Sequence, residues 1–152
     1  MKEIFNGQYV LLLTIFLMVI VVSCSRSNFG EKEARKIIND FYNDNVPESI
    51  NDRHLLSAGK KIVPYLMIEI KNSDMPKRRY AIGAIGKIGD KQAIPVLVNI
   101  FEDKTELVYI RADAIEAIWH IDRTIGEEYA KKHKGENKEI DRTIELLRKG
   151  VI

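Results

Sequence analysis

Few residues in this chain have the type and spacing that chemistry requires. Cysteine occurs once, at Cys24, among 152 residues. A single thiol excludes an internal disulfide and excludes a cysteine-cluster metal site. His54, His120 and His133 include no pair one helical turn apart, the spacing that puts two ligands on one helix face. No metal is therefore expected, and each histidine reads as a surface or boundary residue. No Cys-His or Ser-His-Asp grouping can be argued from spacing. The glycine-bearing run from Tyr80 to Gly86, followed by Lys87, has the look of a phosphate loop. It lacks the Ser or Thr that should follow the lysine and the strand that should precede the glycines. The expectation is a protein without catalytic residues and without a cofactor.

Charge gives no stronger lead. The chain carries 24 basic and 22 acidic side chains, a formal +2, and a balance so near neutrality gives no reason to expect a polyanion partner. The basic clusters Lys77-Arg78-Arg79 and Lys131-Lys132 are short. They read as solvated helix faces rather than a nucleic-acid footprint, which gathers more charge on one side. Glu127-Glu128 and the run from Glu136 to Asp141 read as solvated faces as well.

The lone cysteine is explained by its position. After Lys2 the chain is apolar from Val10 to Val22 apart from Thr14, and it breaks at Ser23-Cys24-Ser25. As a helix these residues would span about 20 Å at 1.5 Å each, against a hydrocarbon core of about 30 Å. The run is short for a membrane span and of the right length for a signal-peptide core. Val21-Val22-Ser23-Cys24 resembles the bacterial lipobox. That resemblance implies cleavage before Cys24, thioether lipidation of Cys24 and acylation of the new amino terminus. Removal of residues 1–23 takes Lys2 and Glu3 with it, so the formal charge stays at +2. Several acyl chains make a durable anchor where one would be marginal. Residues 24–30 then form the lipidated cysteine and a tether. Its six residues after the cysteine reach about 20 Å when extended. The expected location is the cell envelope, lipid-anchored and extracytoplasmic. In a Gram-negative cell, Ser25 after the lipidated residue implies the outer membrane, facing the periplasm.

The remaining residues, 31–152, repeat themselves. Residues 59–89 and 90–122 align, with Ile62-Val63-Pro64-Tyr65-Leu66 over Ala93-Ile94-Pro95-Val96-Leu97, Arg78 over Arg111, and Ala81-Ile82 over Ala114-Ile115. A period near 30 in helix-patterned sequence marks an α-solenoid. Each unit reads as two helices. Ile62, Leu66 and Ile70 recur at four-residue steps in one first helix, and Ile94 and Val98 in the next. Pro64 and Pro95 should kink their helices about one turn in. Asp74 or Met75 ahead of Pro76 should start a second helix, while Asp90 and Thr105 are expected caps. The small residues of the Ala/Ile/Gly run should let neighbouring helices approach closely.

These positions resemble the HEAT-like repeats of phycobilisome-lyase-type proteins. In that family a proline lies in the first helix, an acidic residue at its end and a basic residue at the entry to the second. Here those are Pro64 or Pro95, Asp103 (Asn72 in the earlier unit), and Arg78 or Arg111. The resemblance covers about residues 59–122 and implies an acidic–basic ladder between turns, a fold and a binding surface far more than an activity. Two repeats cannot bury both their faces, so caps are expected. One comes from Glu31 to Asn43 through Ala34, Ile37, Ile38 and Phe41, with a turn at His54 to Ala58. The other comes from Ile125 to Lys134, broken near Gly126, and a last helix through Ile140, Ile144 and Leu147 that ends at Gly150. The expected fold is all-α, a short solenoid of antiparallel helix pairs.

The function this implies is a membrane-tethered protein–protein interaction module, with an unknown protein partner at the membrane surface. A structural accessory subunit of an envelope complex is an alternative. An enzyme of the lyase type is suggested by the repeat resemblance alone. Solenoids bind along an edge formed by their second helices. The candidate partner-binding residues on that edge are Lys77, Arg78, Arg111, Asp113, Glu116 and His120. Trp119 is expected as a core or boundary aromatic, with contact in a binding groove as the sharper possibility.

Overall fold

The computed structural model describes residues 29–44 and 52–152. The expected signal peptide, Cys24 and most of the expected tether therefore lie outside the described residues. Glu31–Ile152 forms one compact unit. Its α-helices are α1 (Glu31–Asn43), α2 (Arg53–Ala58), α3 (Val63–Glu69), α4 (Arg78–Ile88), α5 (Ile94–Glu102), α6 (Val108–Ile121), α7 (Arg123–Lys132) and α8 (Lys138–Lys149). There is no strand among the described residues, and none of their helices is long and apolar enough to cross a membrane.

The helices form successive pairs. The second members, α2, α4, α6 and α8, lie side by side in chain order, and the first members α3 and α5 pack against α4 and α6. Helix α6 is the hub, touching α4, α5, α7 and α8. The expected short α-solenoid is what the chain forms, and the flanking helices continue the stack, α1 against α2 at one end and α7 and α8 both against α6 at the other. Its core takes Ile62, Leu66 and Ile70 from the first repeat, Ile82 and Ile85 from α4, Leu97 and Phe101 from α5, and Ile115 and Ile118 from α6, all fully buried. Each such side chain contributes about 1.5–3 kcal/mol.

Several local expectations are corrected by the backbone. Pro64 and Pro95 do not kink a helix from within. Each is the second residue of its α-helix, after a 3₁₀ turn at Gly59–Ile62 or Lys91–Ala93. There the missing N–H is one of the first-turn donors that has no intrahelical partner in any case. In α5 the register is shifted from the expected one. Val96, Leu97, Ile100 and Phe101 are buried, while Ile94 and Val98 are only half-buried. Pro76 stands in the loop before α4, whose start is set by Lys77 in a left-handed conformation at φ 56°. Asp90 does cap the next turn, accepting from the Gln92 amide. Thr105 does not cap α6. Its hydroxyl donates to Asp103, and the Glu106 carboxylate accepts from the Leu107 amide instead.

Gly126 does not break α7, which runs unbroken through it. A Cβ there would come within 2.8 Å of the Trp119 Cα and 3.1 Å of its ring, so the glycine marks the closest approach of α7 to α6. The last helix ends as expected at Gly150, in a left-handed conformation at φ 66° that favours glycine.

Candidate partner-binding face

The six residues expected on the binding edge separate into two groups. Arg78 and Arg111, expected to be exposed, are buried, at 7% and 6% relative exposure. Each sits at the start of a second helix and turns back into its own repeat. Arg78 Nε donates to the carbonyl of Ile70 at 2.8 Å, and Arg111 Nε donates to that of Phe101 at 2.8 Å. Those carbonyls close the first helices, whose last turns lack intrahelical donors. Beyond that bond each guanidinium reaches the next repeat. Arg78 Nη1 donates to Glu106 at 2.6 Å, and Arg111 Nη2 lies 3.8 Å from Glu136. A ladder between repeats thus exists, but its acidic rungs are Glu106 and Glu136. Asp103 instead accepts from the amide and hydroxyl of Thr105, bonds that hold its carboxyl below the usual range.

Lys77 is also occupied within the fold. Its ammonium donates to the carbonyls of Phe41 at 3.0 Å and Asp44 at 2.5 Å, satisfying the end of α1. The basic members of the expected site are therefore structural. A sequence pattern of charge at the start of a helix does not say whether the side chain points out or folds back, because arginine is long enough for either.

Asp113, Glu116 and His120 remain on the face. Asp113 and Glu116, with residues of the neighbouring helix, frame a groove of about 330 Å³ lined by Asp52, Arg79, Tyr80, Gly83, Lys87, Asp113 and Glu116. The ridges of α4 and α6 form its walls. Arg79 grips Asp113 in a two-pronged pair at 2.6 and 2.9 Å and stacks on Tyr109, 5.2 Å from the ring centre. Lys87 donates to Asp52 at 2.7 Å. Glu116 is 3.8 Å from His120 Nε2. Burial raises the Glu116 carboxyl above its usual range, against the pull of His120 and with a further push from Asp113. Arg79, Gly83 and Lys87 were not singled out as site residues. The helical spacing of Arg79, Gly83 and Lys87 at four-residue steps was the signal that could have found them.

A second polar cluster lies on the first-helix side. His133, expected at the surface or its boundary, is buried at 6% exposure. Its Nδ1 lies 3.0 Å from Glu136 and its Nε2 3.4 Å from Glu102, and its ring meets Phe101 edge-on at 4.9 Å. Lys104 donates to Glu136 and Lys132 to Glu102. Glu136, exposed as expected of its run, also joins the ends of α5 and α7 to Arg111 of α6. Trp119 is buried at 7% exposure, packed against Gly126, with the guanidinium of Arg123 5.7 Å from its ring centre. It belongs to the core boundary and lines none of the groove. Among the described residues no group of three or more His, Cys, Asp or Glu could hold a metal ion.

Residues 77–103 match the PBS lyase HEAT-like repeat family. Neither a curated protein nor a solved structure matches the chain. The matched stretch runs from Lys77 at the entry to α4 through Asp90 and Pro95 to Asp103 at the end of α5. It thus spans the second helix of one pair and the first of the next, the part of the stack that carries Arg78 and the α4 wall of the groove. From this match and from the stacking of its second helices, the chain is an all-α protein with HEAT-like repeats arranged as a short solenoid.

Proposed function

We propose that the chain is a membrane-tethered protein–protein interaction module that acts by binding rather than by catalysis. The observation that supports this most directly is the groove between α4 and α6. It is open, it lies on the edge where stacked helix pairs present their second helices, and Gly83 forms its floor with nothing within 4 Å of where a Cβ would stand. A glycine in a helix interior costs about 1 kcal/mol relative to alanine, and no neighbour inside the fold requires this one. Space kept open on an exposed edge suits the approach of another chain.

The tether rests on the lipobox resemblance around Cys24. Lipidation there would hold the repeat domain within about 20 Å of the membrane and limit its partners to those that reach that surface. Intact mass of the membrane-extracted protein, beside Cys24→Ser, tests this half. A mature chain that begins at Cys24 and carries diacylglyceryl and acyl mass supports the anchor. A chain that retains Met1 and no lipid removes it. Photo-cross-linking from the groove rim in living cells tests the other half. Discrete cross-linked protein bands from the α4–α6 rim, absent from the α3 and α5 side, are the expected result.

A further inference from the structure

We infer that the groove over Gly83 seats a lysine or arginine side chain carried on a protein partner, with the Glu116 carboxylate as its acceptor; this rests on the reading of that edge as a binding face. Three carboxylates line the groove, and two are already matched. Asp113 receives both prongs of Arg79 at 2.6 and 2.9 Å, and Asp52 receives Lys87 at 2.7 Å. Glu116 is left with the His120 ring at 3.8 Å, beyond hydrogen-bond reach. Its side chain keeps only 37% of its exposure, so it has lost much of its water without gaining a donor in return. A half-buried carboxylate in that state is stabilised by an incoming cation.

Steric detail points the same way. Two glycines lie three residues apart on α4, and the fold accounts for one of them. A Cβ on Gly86 would meet Ala117 at 2.8 Å, whereas one on Gly83 would meet nothing within 4 Å. The gap beside Glu116 is therefore not consumed by packing between α4 and α6. An anionic group would face the Glu116 carboxylate, while the two cations of the groove, Arg79 and Lys87, are already engaged by Asp113 and Asp52. An apolar side chain would finish burying Glu116 with no partner, which costs the full desolvation of a charged group. A cation on a flexible stem fits both the space and the charge. A protein is the favoured carrier because the groove lies open along two helices, and the absent side chain at Gly83 lets a partner backbone come close.

The test uses the full-length protein in detergent micelles and n-butylammonium as the probe, followed by amide chemical shifts. Saturable shifts at Gly83 and Glu116 are expected, with none of comparable size from n-butyrate. Glu116→Gln should weaken the binding at least about tenfold, and Gly83→Leu should abolish it while helix content stays unchanged by circular dichroism. No saturable shift, equal response to the anion, or undiminished binding in Glu116→Gln overturns the inference. A photo-cross-linker at position 120 in cells separates this failure from that of the broader reading. A protein captured by the wild-type chain and lost in Glu116→Lys supports the inference. The same protein captured equally by Glu116→Lys overturns it and leaves the binding face standing. A lipid amine as the captured species overturns it too. No capture from any position on the edge removes both.

Discussion

A Cβ added to Gly86 would lie 2.8 Å from the Cα of Ala117, so helices α4 and α6 touch backbone to backbone at that point. The two repeats can close on each other only because neither residue projects more than a methyl group there. Gly86→Ala should therefore lower stability by about 1–3 kcal/mol, the usual cost of overpacking a tight contact. Gly83→Ala, three residues earlier on the same helix, should raise it by about 1 kcal/mol, because its Cβ meets nothing. Urea midpoints of both variants decide the matter. If they move in the same direction, close approach is not what Gly86 provides.

The two buried arginines are equivalent in position but not in how well they are satisfied. Arg78 donates to the Ile70 carbonyl and to Glu106 at 2.6 Å. Arg111 donates to the Phe101 carbonyl, but its buried Nη2 has no hydrogen-bond partner. Arg78→Ala leaves a carboxylate and a helix-end carbonyl without their donor, and should cost about 3–5 kcal/mol. Arg111→Ala should cost less, since it also removes an unsatisfied buried group. Equal losses in thermal or chemical unfolding would falsify this ordering.

Glu136 ties the turn after α7 to the rest of the stack and gives the protein an acid sensitivity of defined sign. Its carboxyl is pulled down to about 2 from the usual 4.5, first by the Lys104 ammonium and then by the His133 ring. A depressed folded-state value means that the charged form stabilises the fold. That contribution is complete above about pH 5 and is lost as pH falls from 4.5 towards 2. Glu136→Gln should be less stable than the wild type at pH 7, with a shallower decline across that acidic window. Urea midpoints from pH 7 to pH 2 measure it. Parallel curves for the two proteins would assign the sensitivity to other carboxylates.

The single tryptophan of the chain reports on the contact between α6 and α7. A Cβ at Gly126 would press on the Trp119 backbone at 2.8 Å and on its ring at 3.1 Å. Gly126→Ala should push the indole towards solvent, red-shift its emission and destabilise the protein by about 1–3 kcal/mol. Unchanged emission and an unchanged midpoint would mean that α7 slides past Trp119 without penalty.

Much of the architecture was readable before any coordinates. The repeat near 30 residues, the alternation of helices and turns, and the apolar steps Ile62-Leu66-Ile70 each follow from local pattern, because a helix must bury one stripe whatever its surroundings. Prolines at matching positions marked the first helices, although their true place at the helix start emerged only with the 3₁₀ turns before them. Asp90 as a cap and Gly150 as a terminator were equally legible, since both act on backbone groups a few residues away.

What tertiary structure decided is where long polar side chains go. Lys77, Arg78 and Arg111 have the types of a binding surface, yet they serve carbonyls 8 to 36 residues away in sequence. His133 has the type of a surface residue, yet it sits between Glu102 and Glu136. Gly83 and Gly86 look alike in the sequence, and only the position of Ala117 tells the packed glycine from the open one. Helical periodicity is a property of the chain itself. Whether a flexible charged side chain meets water, a carbonyl or another helix depends on which segments the solenoid brings within a few ångströms, and local sequence does not encode that distance.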